Sequence, residues 1–256
     1  MTIAVVLIAC LTLGWQNRAT DAARNSEPTE VAAPSRGANT FDQRLADLDA
    51  RVAQIRTLKA DFEQTKSTPL LKKPLVSNGS IVVKGARAKW QTDSPRQMIM
   101  TFGGGEIRMY YPEARVVEIY PLPGEFQEFA GNPLPRLGGL RSKFKVSEVD
   151  PETMGAPPAR GRFLGVALSP SDPDLKEHIS DIRVLIDTAL PCISRLEFTD
   201  PDGARTSIVM SNVRVDVDVT DEEVQPKLPA GTRESRPLPG SAPKSTSTGA
   251  AKDSSK

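Results

Sequence analysis

Phe41, Leu45, Leu48, Val52 and Ile55 recur at steps of four, three, four and three, with Asp42, Arg44, Asp47, Asp49 and Arg51 between them. That is the apolar stripe of an amphipathic helix. Thr40 stands at its N-cap position, and Gln43 completes a capping box. Beyond it the period changes to two. Ile81-Val-Val83-Lys runs into Ala88-Lys-Trp90-Gln, and Met98, Met100 and Phe102 alternate with Gln97, Ile99 and Thr101. Ile107, Met109 and Tyr111 alternate with Glu106, Arg108 and Tyr110, then Val117 and Ile119 with Val116, Glu118 and Tyr120. Ser77-Asn78-Gly79, Gly85, Asp93-Ser94-Pro95, Gly103-Gly104-Gly105 and Pro112-Glu113-Ala114 read as turns between them. Short strands with close turns predict an antiparallel meander.

Residues 124–145 break that rhythm. Phe126, Phe129, Leu134, Leu137, Leu140 and Phe144 stand among glycine and proline, mostly at steps of three or four. This predicts one or two short, broken helices crossing the sheet. Strands return at Phe163 to Leu168, Ile182 to Ile186, Ile193 to Phe198 (through Leu196) and Thr206 to Val213 (through Ile208 and Met210), with Asp200-Pro-Asp-Gly203 as a hairpin turn. Residues 150–162 read as a loop. Nothing alternates strand with helix, so the fold class is α+β with a mainly antiparallel sheet, long enough to curl.

The ends carry no core. Ile3 to Leu13 is an apolar run too short to span a bilayer, which takes about 20 residues, and suits the apolar part of a secretory signal. Only the α-amino charge precedes it, which implies a start further upstream or an atypical signal. Leu7-Ile8-Ala9-Cys10 resembles a lipobox, whose cysteine is lipidated. The expected organisation is a signal-like segment at 1–18, a flexible linker at 19–40, a folded domain at 41–233 and a disordered polar tail at 234–256.

Charge and residue chemistry narrow the functions. Lys+Arg 33 against Asp+Glu 32 leaves no basic excess for nucleic acid. His178 is the only histidine, in a charged loop, and no serine has the strand–turn–helix setting of a hydrolase nucleophile. One histidine and two cysteines at unrelated positions supply no zinc site, so no metal, cofactor or catalytic residue is expected. Cys192 has no base beside it and reads as a small apolar residue in a strand. Asp216-Val-Asp218-Val-Thr-Asp221-Glu-Glu223 lacks the spacing of a Ca²⁺ loop. A hydrolase using paired carboxylates is the remaining enzymatic alternative.

Leu58-Lys-Ala-Asp61-Phe62-Glu-Gln64, directly after an amphipathic helix, resembles the periplasmic outer-membrane lipoprotein carriers, the LolA family. The resemblance continues through Asn78-Gly79-Ser80-Ile-Val-Val-Lys84, Lys89-Trp90, Pro95, Gly103, Tyr110-Tyr-Pro112 and Val117-Glu-Ile-Tyr-Pro-Leu122. It closes at Glu223-Val-Gln-Pro-Lys-Leu-Pro-Ala-Gly231, covering about residues 41–233. It implies a curved open barrel (a half-barrel), lidded by the N-terminal helix and the short central helices, whose apolar interior holds lipoprotein acyl chains or related lipids. It also implies a monomer in the periplasm served by an inner-membrane releasing complex and an outer-membrane acceptor. A lipid-anchored acceptor or sensor, held through Cys10, is the alternative on the same fold. The family's functional arginine precedes a proline before the tryptophan strand; here Gly85-Ala-Arg87-Ala-Lys-Trp90 has no Arg-Pro, and Arg87 is the nearest substitute.

The expected cavity residues are Phe62, Ile81, Val83, Trp90, Met98, Met100, Phe102, Ile107, Met109 and Ile119 from the first strands. Phe126, Leu134, Leu137 and Leu140 join from the broken segment, and Leu196, Phe198, Ile208 and Met210 from the last strands. Methionine adapts its shape to changing occupants. A sixteen-carbon chain moved into an unfilled apolar centre contributes about 10 kcal/mol before ordering costs. Release then calls for a moving lid, expected at Pro133-Leu-Pro135 and Gly138-Gly139.

Overall fold

The computed structural model describes residues 40–69, 72–122, 130–134, 136–157, 161–171, 173–177 and 179–237. Helix α1 (Phe41–Val52) forms where the stripe predicts it. The Thr40 hydroxyl accepts from the Gln43 amide at 3.3 Å while the Gln43 side chain accepts from the Thr40 amide at 3.0 Å. Leu45, Leu48 and Val52 are buried on one side.

Six strands follow: β1 (Thr57–Ser67), β2 (Leu75–Lys84), β3 (Arg87–Ser94), β4 (Met98–Gly103), β5 (Glu106–Tyr111) and β6 (Val116–Pro121). A 3-10 turn at Leu137–Ser142 leads into β7 (Phe144–Val149), and another at Pro151–Met154 precedes β8 (Phe163–Pro170). After the single-turn α2 (Pro173–Lys176) come β9 (Asp181–Asp187), β10 (Cys192–Thr199) and β11 (Arg205–Val215). The chain closes with α3 (Asp221–Val224) and β12 (Arg233–Ser235).

All the strands share one sheet, ordered β12-β6-β5-β4-β3-β2-β1-β11-β10-β9-β8-β7. Two meanders therefore meet where β1 pairs with β2 on one side and β11 on the other. Every pairing is antiparallel except β12, which runs parallel to β6. Strands β7 and β12 are the outer edges, so the curved sheet stays open, as the α+β half-barrel expectation has it.

Several local expectations change. Ser77-Asn78-Gly79 is not a turn but lies inside β2, at a bulge against β3. A Cβ on Gly79 would sit 1.8 Å from the Gln91 carbonyl oxygen, so the glycine permits close approach of β3 at the bulge rather than a chain reversal. Phe144, expected in the helical break, opens an edge strand instead. The loop at 150–162 contains a turn that buries Met154. Strand β12 carries the pairing two residues past 233. The signal-like segment at 1–18 with Cys10, all of the 19–40 linker but Thr40, Phe126, Phe129, Pro135, His178 and the tail from 238 lie outside the described residues.

Both faces of the first meander are covered. One, the inner face, packs against α1 in the main core. Across the other runs the chain after β11: Val219 and Val224 bury Val82, and Leu228 packs on Tyr110, Val117 and Ile119. Glu223 meets Lys59 at 2.5 Å, and Asp221 meets both Lys84 at 2.9 Å and Arg87 at 2.6 Å. This arm ends as β12, so it straps the outer face from β2 to β6.

Candidate functional site

Period-two geometry sends alternate residues of each strand to the inner face. Phe62, Ile81, Val83, Trp90, Met98, Met100, Phe102, Ile107 and Met109 arrive there from β1 to β5. Leu196, Phe198, Ile208 and Met210 arrive from β10 and β11, and Leu134 and Leu137 from the connecting segment. All fall in one cluster with Leu45, Leu48 and Val52 of α1, while half-buried Leu140 packs at its border. The Phe62 and Trp90 rings lie 5.1 Å apart. Trp90 Nε1 donates to the Gly131 carbonyl at 2.6 Å, which ties the segment after β6 to the inner face.

Ile119 is the exception. It is buried, but beside Tyr110 and Val117 on the outer face. Its β5 partner is Arg108, whereas inward-facing Ile107 opposes Tyr120. The arm makes an outward position as apolar as an inward one, so alternation alone pointed Ile119 the wrong way.

The interior is filled. The clustered cavity residues from the strands are between 0% and 8% exposed. A standing void wide enough for hydrocarbon would leave its walls accessible, so the expected unfilled centre is not the form seen here. The protein's own side chains occupy that space.

The roof is fastened by polar groups at its margins. Asp49 of α1 accepts from the amides of Leu137 and Gly138 at 3.1 and 2.9 Å, at the start of the 3-10 turn. Asp42 pairs with Arg141 at the end of that turn. Arg44 reaches Glu148 of β7 at 2.5 Å, and Arg51 donates to the Thr188 carbonyl at 2.7 Å. A cleft of about 170 Å³ opens between this flank of α1 and the β8–β9 hairpin, lined by Arg44, Asp47, Leu48, Arg51, Gly161, Phe163, Leu164 and Thr188. A Cβ on Gly138 would lie 2.7 Å from Asp49 Oδ2, so this expected hinge glycine serves close attachment. None of these partners was readable from the chain, because a helix's polar side looks the same whether it meets water or a distant carbonyl.

Arg87 is on the outer face in the shared pair with Asp221. Cys192 is buried, and its thiol is pushed up to about 12 by burial and then by Asp187.

The family model described as outer membrane lipoprotein carrier protein LolA matches residues 53–226. This chain belongs to the LolA family. No curated protein matches it. Among solved structures it is similar to an uncharacterized conserved protein from Thermus thermophilus, with TM-score 0.50 and 10% identity over 77% of this chain and 100% of that one. It is also similar to a putative outer membrane lipoprotein-sorting protein domain from Vibrio parahaemolyticus, with TM-score 0.39 and 11% identity over 71% and 95%. A third is the Mycobacterium tuberculosis lipoprotein LppX, with TM-score 0.39 and 12% identity over 71% and 100%. At such identities the likeness is one of fold. LolA-family membership makes this a chain of a lipoprotein-carrier superfamily rather than of an enzyme family.

Proposed function

We propose that this protein is a periplasmic carrier that takes up the acyl chains of lipoproteins, or related lipids, on its inner face and moves them toward the outer membrane. The observation that carries this is the continuous apolar layer running from α1 across both meanders, roofed by an element whose margin contacts are polar. Apolar burial is non-directional, so an acyl chain substitutes for the roof's own apolar contacts without new chemistry. Each methylene contributes about 0.8 kcal/mol, which offsets the loss of those contacts. The protein works without a catalytic step. A releasing complex at the inner membrane and an acceptor at the outer membrane supply and discharge the cargo.

Native mass spectrometry of protein purified without added detergent tests this. The expected spectrum contains adducts of lipid mass that disappear on organic extraction. A lipid-free spectrum, from protein that also leaves a fluorescent fatty acid unbound, would rule the proposal out.

A further inference from the structure

The inner face changes character at one level across three neighbouring strands. Along β1 the inward column runs Leu58, Ala60, Phe62 and then Gln64 and Lys66, all buried. On β11 the column Met210, Ile208 ends in Thr206, and register places Phe62 opposite Met210, Gln64 opposite Ile208 and Lys66 opposite Thr206. On β10, Leu196 and Phe198 lead to Asp200, whose carboxylate lies 3.7 Å from the Lys66 ammonium. The apolar basin thus has a polar end at β1, β10 and β11, built by side chains that point inward.

That end is incompletely satisfied. Gln64 is 4% exposed and Thr206 0%. Gln64 Nε2 donates to Ser77 Oγ at 3.4 Å, but Gln64 Oε1, Asp200 Oδ1 and Thr206 Oγ1 are enclosed and have no hydrogen-bond partner among the described residues. Enclosed polar atoms without partners oppose folding, so such a group in a native interior calls for an explanation. Two of the three are acceptors only, and the third accepts as well as donates. What they lack is a donor. Among the described residues Lys66 is the one buried lysine or arginine, and Asp200 faces it, so the charges at this end balance without an anionic head.

We infer that this polar end seats the head of the bound amphiphile, a neutral group carrying hydroxyl or amide N–H donors, while its acyl chain lies along Ile208, Met210 and Phe62. This rests on the acyl-carrier reading and adds to it the orientation of the cargo and the chemistry of its head. Burial raises the Asp200 carboxyl, with Lys66 opposing that shift.

Competition against a fluorescent fatty acid tests the assignment, using 1-monopalmitoylglycerol (hydroxyl donors), the methyl ester of N-palmitoylglycine (amide donor) and methyl palmitate (no donor). One or two added hydrogen bonds correspond to about a tenfold preference, so either or both donor-bearing lipids should outcompete methyl palmitate by that factor. Which of them does so tells a glycerol head from an amide head. In the Gln64→Met, Thr206→Val double variant the ratio should fall to within about twofold. Melting temperature followed by circular dichroism should hold or rise, because removing the unpartnered Gln64 Oε1 and Thr206 Oγ1 outweighs the loss of the long Gln64–Ser77 bond; single Thr206→Val, close in shape, is the reserve if the pair folds poorly. Equal competition by all three lipids in the unmodified protein would overturn the inference and leave the carrier reading intact. So would a lowered melting temperature with the preference retained, the mark of a site that holds only internal water. Failure of the protein to bind any acyl probe would remove both.

Discussion

Single residues carry two kinds of work here, fastening and filling. Asp49 fastens: one carboxylate takes two amide protons at the start of a 3-10 turn, and Gly138 is small enough to allow it. Asp49→Ala leaves both amides without that acceptor. The expected cost is about 1–3 kcal/mol of stability in urea unfolding, together with faster uptake of a fluorescent fatty acid in stopped flow. Unchanged uptake with lowered stability would make Asp49 a purely structural contact. Cys192 fills. With its thiol pushed up to about 12, hardly any thiolate exists at pH 8. Ellman's reagent should leave it unmodified in the native protein and titrate it in guanidinium, whereas rapid native labelling would show that β10 opens readily.

Among elements, α1 was legible apart from its end, since Ile55 of the stripe lies beyond the last helical residue, Val52. Its stripe, cap and capping box are local, and the structure reproduces them. Most strand alternations were legible for the same reason. What alternation could not supply is which side is the inside, since the arm buries the outer face of the same strands. Ile119 shows the consequence, and Gly79 shows that a turn-like triplet can serve a bulge. The polar end of the inner face was also written in the period-two series from Leu58 to Lys66. It becomes visible only once the register sets Lys66 beside Thr206. The arm itself is fastened by acids. Glu223 is lowered from 4.5 to about 2, first by the hydrogen bond from Lys59 and then by the Thr220 amide. A depressed folded value means that this contribution to stability is complete above the ordinary carboxylate range and is lost as pH falls toward 2. A carboxyl-carbon NMR titration of Glu223 should therefore give a midpoint near 2, moving toward 4.5 in Lys59→Met. A midpoint near 4.5 in the unmodified protein would show the arm detached.

At the scale of the whole molecule, an open sheet leaves one broad apolar face that must be covered by something. In the structure the cover is the protein itself, with α1 and the segment around Leu134 and Leu137 packed into the space the cargo would occupy. The form described is therefore closed, and on the proposed carrier reading binding would exchange one apolar partner for another. Trp90 reports on that exchange most directly, because it lies in the inner face against Phe62. In a Trp15→Phe variant it is the sole tryptophan of the two in the chain. Titration with a doxyl-labelled stearate should quench Trp90 saturably near one lipid per protein, and unlabelled palmitate should reverse it. Saturable binding of the labelled lipid that leaves Trp90 fluorescence untouched would place the hydrocarbon elsewhere and contradict the account.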